Sequence, residues 1–173
     1  MKPNFSIGVY PGSFNPFHVG HADIVKKALK VFDFIVILRM FNPEKKYTKE
    51  EEKEIRGNAC DYTRKIKSYF LVEDRKRISV KFSAQTLKYS LAERWYVHGK
   101  KFESTAVIRG LRNGHDLQYE MNSQYWNEDV GIKIPFVYFI TDRKLSHVSS
   151  SSIKMVEKLN LEHKYCLGRD DEN

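Results

Sequence analysis

The chain has 173 residues, 41% hydrophobic and 30% charged, which is enough for one domain of ordinary size with a real core. Its longest apolar runs, Phe34 to Leu38 and Phe136 to Ile140, are too short to cross a bilayer, and the opening Met-Lys-Pro-Asn has no apolar segment behind it of the kind a secretory signal needs. Cys60 and Cys166 give neither a metal-ligand spacing nor a disulfide framework, so a soluble, cytoplasmic protein is expected.

Ser6 to Tyr10 reads as a first strand, and the prolines and glycine of Pro11 to Phe17 predict a loop after it. From there His18, His21, Ile24, Val25, Ala28, Leu29 and Phe32 share one face of a helix at a 3.6-residue period. Phe34 to Met40 is a continuous apolar run, as in a strand buried on both sides of a parallel sheet. Thr48-x-x-Glu51 is a capping box that predicts a helix from Lys49 to about Cys60. Ile78 to Phe82 and Thr105 to Ile108 suit short strands, with a helix from Thr86 to Tyr96 between them. Asp116 to Glu128 reads as a helix ending before Gly131, Ile134 to Ile140 as the last strand, and Ser149 to Leu159 as the last helix. The polar tail at 169–173 is expected to be disordered. Repeated strand–helix alternation implies an α/β fold: one domain over 1–168, a Rossmann-like open parallel sheet with helices on both faces. Ligands of such sheets bind beyond the carboxyl ends of the strands.

The net charge of +8 is uneven, because Arg64 to Lys101 holds 11 basic against 3 acidic residues and so accounts for the whole excess. Such a block suits an anionic ligand or nucleic acid, and equally a solvated face. Tyr69, Phe70, Phe82, Tyr89, Trp95 and Tyr96 interleave with it, as on a surface that stacks bases, although most sit among apolar neighbours as core residues do.

Three segments that follow strands carry the residues with chemistry. In Gly12-Ser13-Phe14-Asn15-Pro16-Phe17-His18-Val19-Gly20-His21, two histidines at a helix start lean toward its N-terminus and into the mouth of the sheet. The helix dipole there attracts phosphate and disfavours imidazolium, so at least one of them should act as a neutral hydrogen-bond donor. Gly20 permits close approach. Arg109 and Arg112 flank Gly110, and guanidinium holds phosphate oxygens in a planar fork. Ser149 to Ser152 offer a helix cap, free N–H groups and hydroxyls. Lys45 follows the second strand and is better placed than Lys46. Taken singly, each feature is also consistent with an ordinary buried histidine, surface arginine or cap.

Together they resemble a known family. The His18-to-His21 stretch is similar to the H/T-x-G-H signature of the nucleotidyltransferase superfamily, and Gly20-His21-Ala22-Asp23-Ile24 to the G-H-x-D-I of phosphopantetheine adenylyltransferases. Arg109-Gly110-Leu111-Arg112 with Asp116, Tyr119 and Glu120 resembles that family's R-G-L-R…D-F-E-Y-E run, and Val148 to Lys154 its serine-rich segment. The resemblance implies adenylyl transfer from ATP to 4′-phosphopantetheine, magnesium on the phosphates and a hexamer, with no membrane or nucleic-acid partner. It implies that His21, Lys45 and Arg112 act in catalysis and that Ser13, Lys45 and Arg109 hold the acceptor. Ser13, Phe14, His18, His21, Gly110, Arg112, Glu120, Ser149, Ser150 and Ser151 would hold ATP, within a segment that begins at Leu145. Departures are Ser13 and His18 in usual threonine positions, Asn15 in place of an aspartate, and a longer stretch between Lys45 and Arg109. Because paired histidines are typical of nicotinamide-nucleotide adenylyltransferases, nicotinamide mononucleotide is the alternative acceptor. A non-catalytic nucleic-acid binder on the same scaffold is the remoter one.

Overall fold

The computed structural model describes residues 7–40, 59–83, 87, 96–97, 100–101, 105–131, 133–161 and 164–166. Strand β1 (Ile7–Gly12) alternates Ile7 and Val9 on one face with Gly8, Tyr10 and Gly12 on the other. Beside it lie β2 (Phe34–Met40) and β3 (Ile78–Ser83) on one flank, β6 (Thr105–Leu111) and β7 (Phe136–Ile140) on the other. All neighbours are parallel, in the order β3-β2-β1-β6-β7. Chain direction across the sheet therefore reverses at β1, which opens a crevice beyond its carboxyl end.

Helix α1 (Val19–Ala28) and helix α2 (Ala59–Ser68) cover the face that carries Tyr10, Ile35, Ile37, Ala106 and Ile108. Full burial of each large aliphatic chain there contributes about 1.5–3 kcal/mol. Helix α3 (Val72–Arg75) is a single turn before β3. Helix α4 (Gly114–Asp129) lies on the opposite face, where the Tyr138 hydroxyl donates to Gln124 Oε1 at 2.6 Å. Helix α5 (Ser150–Glu157) follows a 3₁₀ turn at Arg143–Leu145. A small antiparallel pair, β4 (Tyr96–Val97) and β5 (Lys100–Lys101), stands apart from the sheet. No helix among the described residues is long and apolar enough to cross a membrane.

The sheet and its two helical layers match the expected architecture, with four local differences. Pro11 and Gly12 belong to β1 rather than to the loop; pairing with β6 stops at Val9, so the missing proline N–H breaks no ladder on that side. Strand β6 runs on through Arg109, Gly110 and Leu111 because β7 continues alongside, Gly110 against Phe139. A helix passes Cys60 and reaches Ser68, burying Tyr62 and Ile66. Tyr96, expected in a helix, is in a strand. The expected capping box, most of the Thr86–Tyr96 helix, Lys45 and the tail lie outside the described residues.

The basic block serves the fold in several places. The Arg77 guanidinium donates to the carbonyls of Leu29, Phe32 and Asp33, closing the end of α1. Tyr69 and Phe70 are buried, and the Tyr69 hydroxyl donates to the Phe17 carbonyl, so neither is offered to a nucleic acid.

Candidate active site

Beyond the carboxyl ends of β1 and β6 lies a cavity of about 400 Å³. Ser13, Phe14, His18, His21, Arg109, Gly110, Arg112, Glu120, Ser149, Ser150 and Ser151 all line it. Every site residue expected from the sequence is thus on one cavity, except Lys45, which lies outside the described residues. The N-terminal turns of α1, α4 and α5 all reach it, and the positive ends of their dipoles favour an anion there.

The start of α1 is capped by imidazoles on both sides. His18 is the N-cap, and its Nδ1 accepts from the Gly20 N–H at 3.1 Å. His21 Nδ1 accepts in turn from the His18 N–H at 3.3 Å. Each ring therefore carries a proton on Nε2 when neutral, and the rings stack 3.6 Å apart. Burial, with a smaller contribution from the Arg112 charge, lowers the His18 pKa to about 4, so this imidazole is a neutral donor at physiological pH. Gly20 fits closely here, because a Cβ would stand 3.1 Å from both His18 Cε1 and Nδ1, a tight contact. Phe14 meets the His21 ring edge-on at 5.0 Å, and Phe17 is 5.3 Å away, so His21 is held in an aromatic cage. Phe14 sits at φ +46°, a costly conformation for a side chain of that size, while its ring folds over Gly12.

The two arginines are oriented by carboxylates. Asp116 receives Nε and Nη2 of Arg112 at 2.8 and 3.0 Å, and also the Arg112 backbone N–H at 2.9 Å. That fork holds the Asp116 carboxyl below its usual range. Arg109 Nε donates to Glu120, and its Nη1 to the Pro11 carbonyl at 3.4 Å. Of the four serines, Ser149 and Ser152 are used in a reciprocal cap of α5, and Ser150 donates to the Pro16 carbonyl at 3.2 Å. Ser151 is exposed at the rim.

Sequence reasoning missed Tyr10, Thr141 and the role of Asp116. The Asp116 partnership was available in the i,i+4 spacing from Arg112. Tyr10 was available from alternation at the carboxyl end of a strand; burial pushes its phenol up, so it too is a protonated donor on the cavity. Electrostatically, the pocket offers two guanidiniums, neutral N–H and O–H donors and three helix N-termini. Such a set suits a polyphosphate and charge that develops on phosphorus.

The chain matches the cytidylyltransferase-like family over residues 9–156. It is 35% identical over 154 residues to the phosphopantetheine adenylyltransferase of Streptococcus uberis, covering 89% of this chain and 82% of that one. It is 31% identical over 153 residues to the enzyme of the same name from Clostridium novyi, covering 87% and 82%. Among solved structures, a bifunctional NMN adenylyltransferase/ADP ribose pyrophosphatase from Francisella tularensis, complexed with AMP and a manganese ion, superposes with a TM-score of 0.59 at 15% identity. That match covers 96% of this chain but 45% of the other, and it is a likeness of fold alone.

Proposed function

The chain belongs to the phosphopantetheine adenylyltransferases of the cytidylyltransferase-like family, and from that premise we propose that it transfers AMP from ATP to 4′-phosphopantetheine, giving dephospho-coenzyme A and pyrophosphate. The observation that supports this most is convergence. Segments around residues 10–24, 109–120 and 141–151, remote from one another in the chain, line a single cavity rich in donors to phosphate.

In this reaction an oxygen of the acceptor's phosphate attacks the α-phosphorus in line. The bond from that phosphorus to the bridging oxygen breaks, and pyrophosphate leaves. A phosphate monoester loses its second proton near pH 6, so the nucleophile is already anionic and no strong base is needed. The protein's task is positioning and charge neutralisation. Arg112, Glu120 and the start of α5 from Ser149 to Ser151 would hold the nucleotide beside Gly110, whose missing Cβ makes room for Ile24. Ser13, Phe14 and His18 would meet the triphosphate, while Arg109 and Ser13 would hold the acceptor's phosphate, with Lys45 joining them by the family resemblance. His21, donating through Nε2, would stabilise the charge that builds on the α-phosphoryl oxygens. Magnesium would enter as MgATP. Asp116 and Glu120 are engaged by arginines, and among the described residues no three His, Cys, Asp or Glu side chains gather to hold a metal.

Purified protein given MgATP and 4′-phosphopantetheine should release one pyrophosphate per dephospho-coenzyme A. His21→Ala should lower turnover about a hundredfold or more, a loss of about 3 kcal/mol in transition-state stabilisation, with the circular dichroism spectrum unchanged. No pyrophosphate from the wild type, or full turnover in the variant, contradicts the respective assignment.

We further propose a homo-oligomer, a hexamer as in the family resemblance, that works in the cytoplasm, where ATP is abundant and free cysteines such as Cys60 stay reduced. Supporting the assembly, α4 leaves Leu117, Met121, Tyr125 and Trp126 exposed, more apolar surface than a lone chain's helix usually offers to water. In sedimentation, a species with the 20.4 kDa mass of a single chain would refute it.

A further inference from the structure

On β2 the side chains Ile35, Ile37 and Arg39 point in turn toward the α1–α2 face. The two isoleucines are fully buried apolar groups, and Arg39, only 3% exposed, follows them into the same layer. Its surroundings among the described residues offset the charge only in part. Among the described residues no carboxylate pairs with it, and its Nη1 is the buried side-chain atom left without a hydrogen-bond partner. Its compensation among the described residues is one bond from Nε to the Ser13 carbonyl at 3.3 Å, the Tyr62 ring, whose centroid lies 3.9 Å from the guanidinium carbon, and the more distant Phe82 ring at 6.0 Å. Burying an incompletely paired guanidinium weakens a fold, and an aliphatic side chain would fill this position better. Violations of this kind are concentrated at functional or strained sites.

What Arg39 touches is the turn that carries Ser13 and Phe14, both of which line the cavity while Arg39 does not. The Ser13–Phe14 peptide is trans, so its carbonyl and its N–H point to opposite edges. With the Ser13 carbonyl drawn toward the guanidinium, the Phe14 N–H is turned away from it. The next carbonyl, of Phe14, is held from the same helix, accepting from the Tyr62 hydroxyl at 2.6 Å. A charge-assisted bond to one end of a peptide strengthens the donor at its other end.

We propose that Arg39 is a positioning residue for adenylyl transfer: a buried cation beneath the Ser13–Phe14 turn that fixes and polarises the Phe14 N–H for a substrate phosphate, at the expense of stability. This rests on the functional reading above. Its charge is held in the protein rather than in water, so it also raises the potential of the cavity floor toward anions.

Arg39→Met and Arg39→Lys test it through binding and melting together. Met removes the charge and keeps an unbranched chain. It should melt at or above the wild-type temperature and bind ATP and 4′-phosphopantetheine about tenfold more weakly or worse. Adenosine and pantetheine, which lack the phosphates, should compete as well as they do against the wild type. Lys, which keeps the charge, should recover most of the phosphate affinity. The proposal is overturned if Arg39→Met binds both phosphorylated substrates within about twofold of wild type, if the unphosphorylated compounds lose affinity equally, if Lys recovers none of it, or if Met lowers the melting temperature by more than about 4 °C, the mark of a structural role. Wild-type protein that binds neither substrate removes the functional reading itself, whereas wild-type binding with an unaffected Met variant removes Arg39 alone.

Discussion

Imidazole is an uncommon helix cap, and here two of them satisfy backbone groups at one N-terminus while stacked 3.6 Å apart. The arrangement consumes both Nδ1 atoms and leaves both Nε2 atoms as donors. It also makes His18 a measurable pH sensor of the fold. Its pKa falls from 6.5 in an open chain to about 4 in the folded one, chiefly through burial. Between those values the unfolded chain binds a proton that the folded chain refuses. Stability should therefore fall as pH drops from 6.5 toward 4, by up to about 3 kcal/mol from this group. His18→Asn keeps a capping oxygen but has nothing to titrate. Thermal unfolding of the two proteins from pH 7 down to pH 4.5 should diverge, with the flatter profile in the variant. Parallel profiles would show that His18 does not carry the effect.

Among the elements, α1 shows how a rule of local propensity can be overridden. Alanine is favoured over glycine inside a helix by about 1 kcal/mol. At Gly20 the added Cβ would lie 3.1 Å from the His18 ring, which is 3% exposed and would have to shift inside a packed environment. Gly20→Ala should therefore melt lower than the wild type and lose turnover with it. A higher melting temperature with full turnover would refute the cap geometry. The same local reading explains what the sequence made legible. Strand–helix alternation and the segments after strands were readable because ligand sites of open parallel sheets follow carboxyl ends, and the expected groups among the described residues do share one cavity. What stayed hidden depended on facing and on neighbours. The run Phe34 to Met40 reads as uniformly buried, and nothing in it shows that Arg39 lies under the Ser13 turn. The extension of β6 through Arg109 and Gly110 required knowing that β7 pairs beside it. Helix α2 could have been found from Tyr62, Ile66 and Tyr69, spaced three and four apart.

At the scale of the whole molecule, the decisive feature is the reversal of chain direction at β1, the strand shared by the two halves of the sheet. It brings the starts of α1, α4 and α5 to one crevice, and each supplies a different kind of donor: imidazole, an arginine fixed by Asp116, and a serine-capped turn. The Francisella tularensis structure superposes with a TM-score of 0.59 at only 15% identity, so the fold outlasts most of the sequence. The reversal accounts for where the cavity lies but does not select which acceptor would receive the adenylyl group. The most direct test of the account is a competition in one reaction: wild-type protein, MgATP, and equal 4′-phosphopantetheine and nicotinamide mononucleotide, with the products read by mass spectrometry. The account predicts dephospho-coenzyme A as the main product. Formation of the nicotinamide dinucleotide in its place, or of no adenylylated product at all, would contradict it.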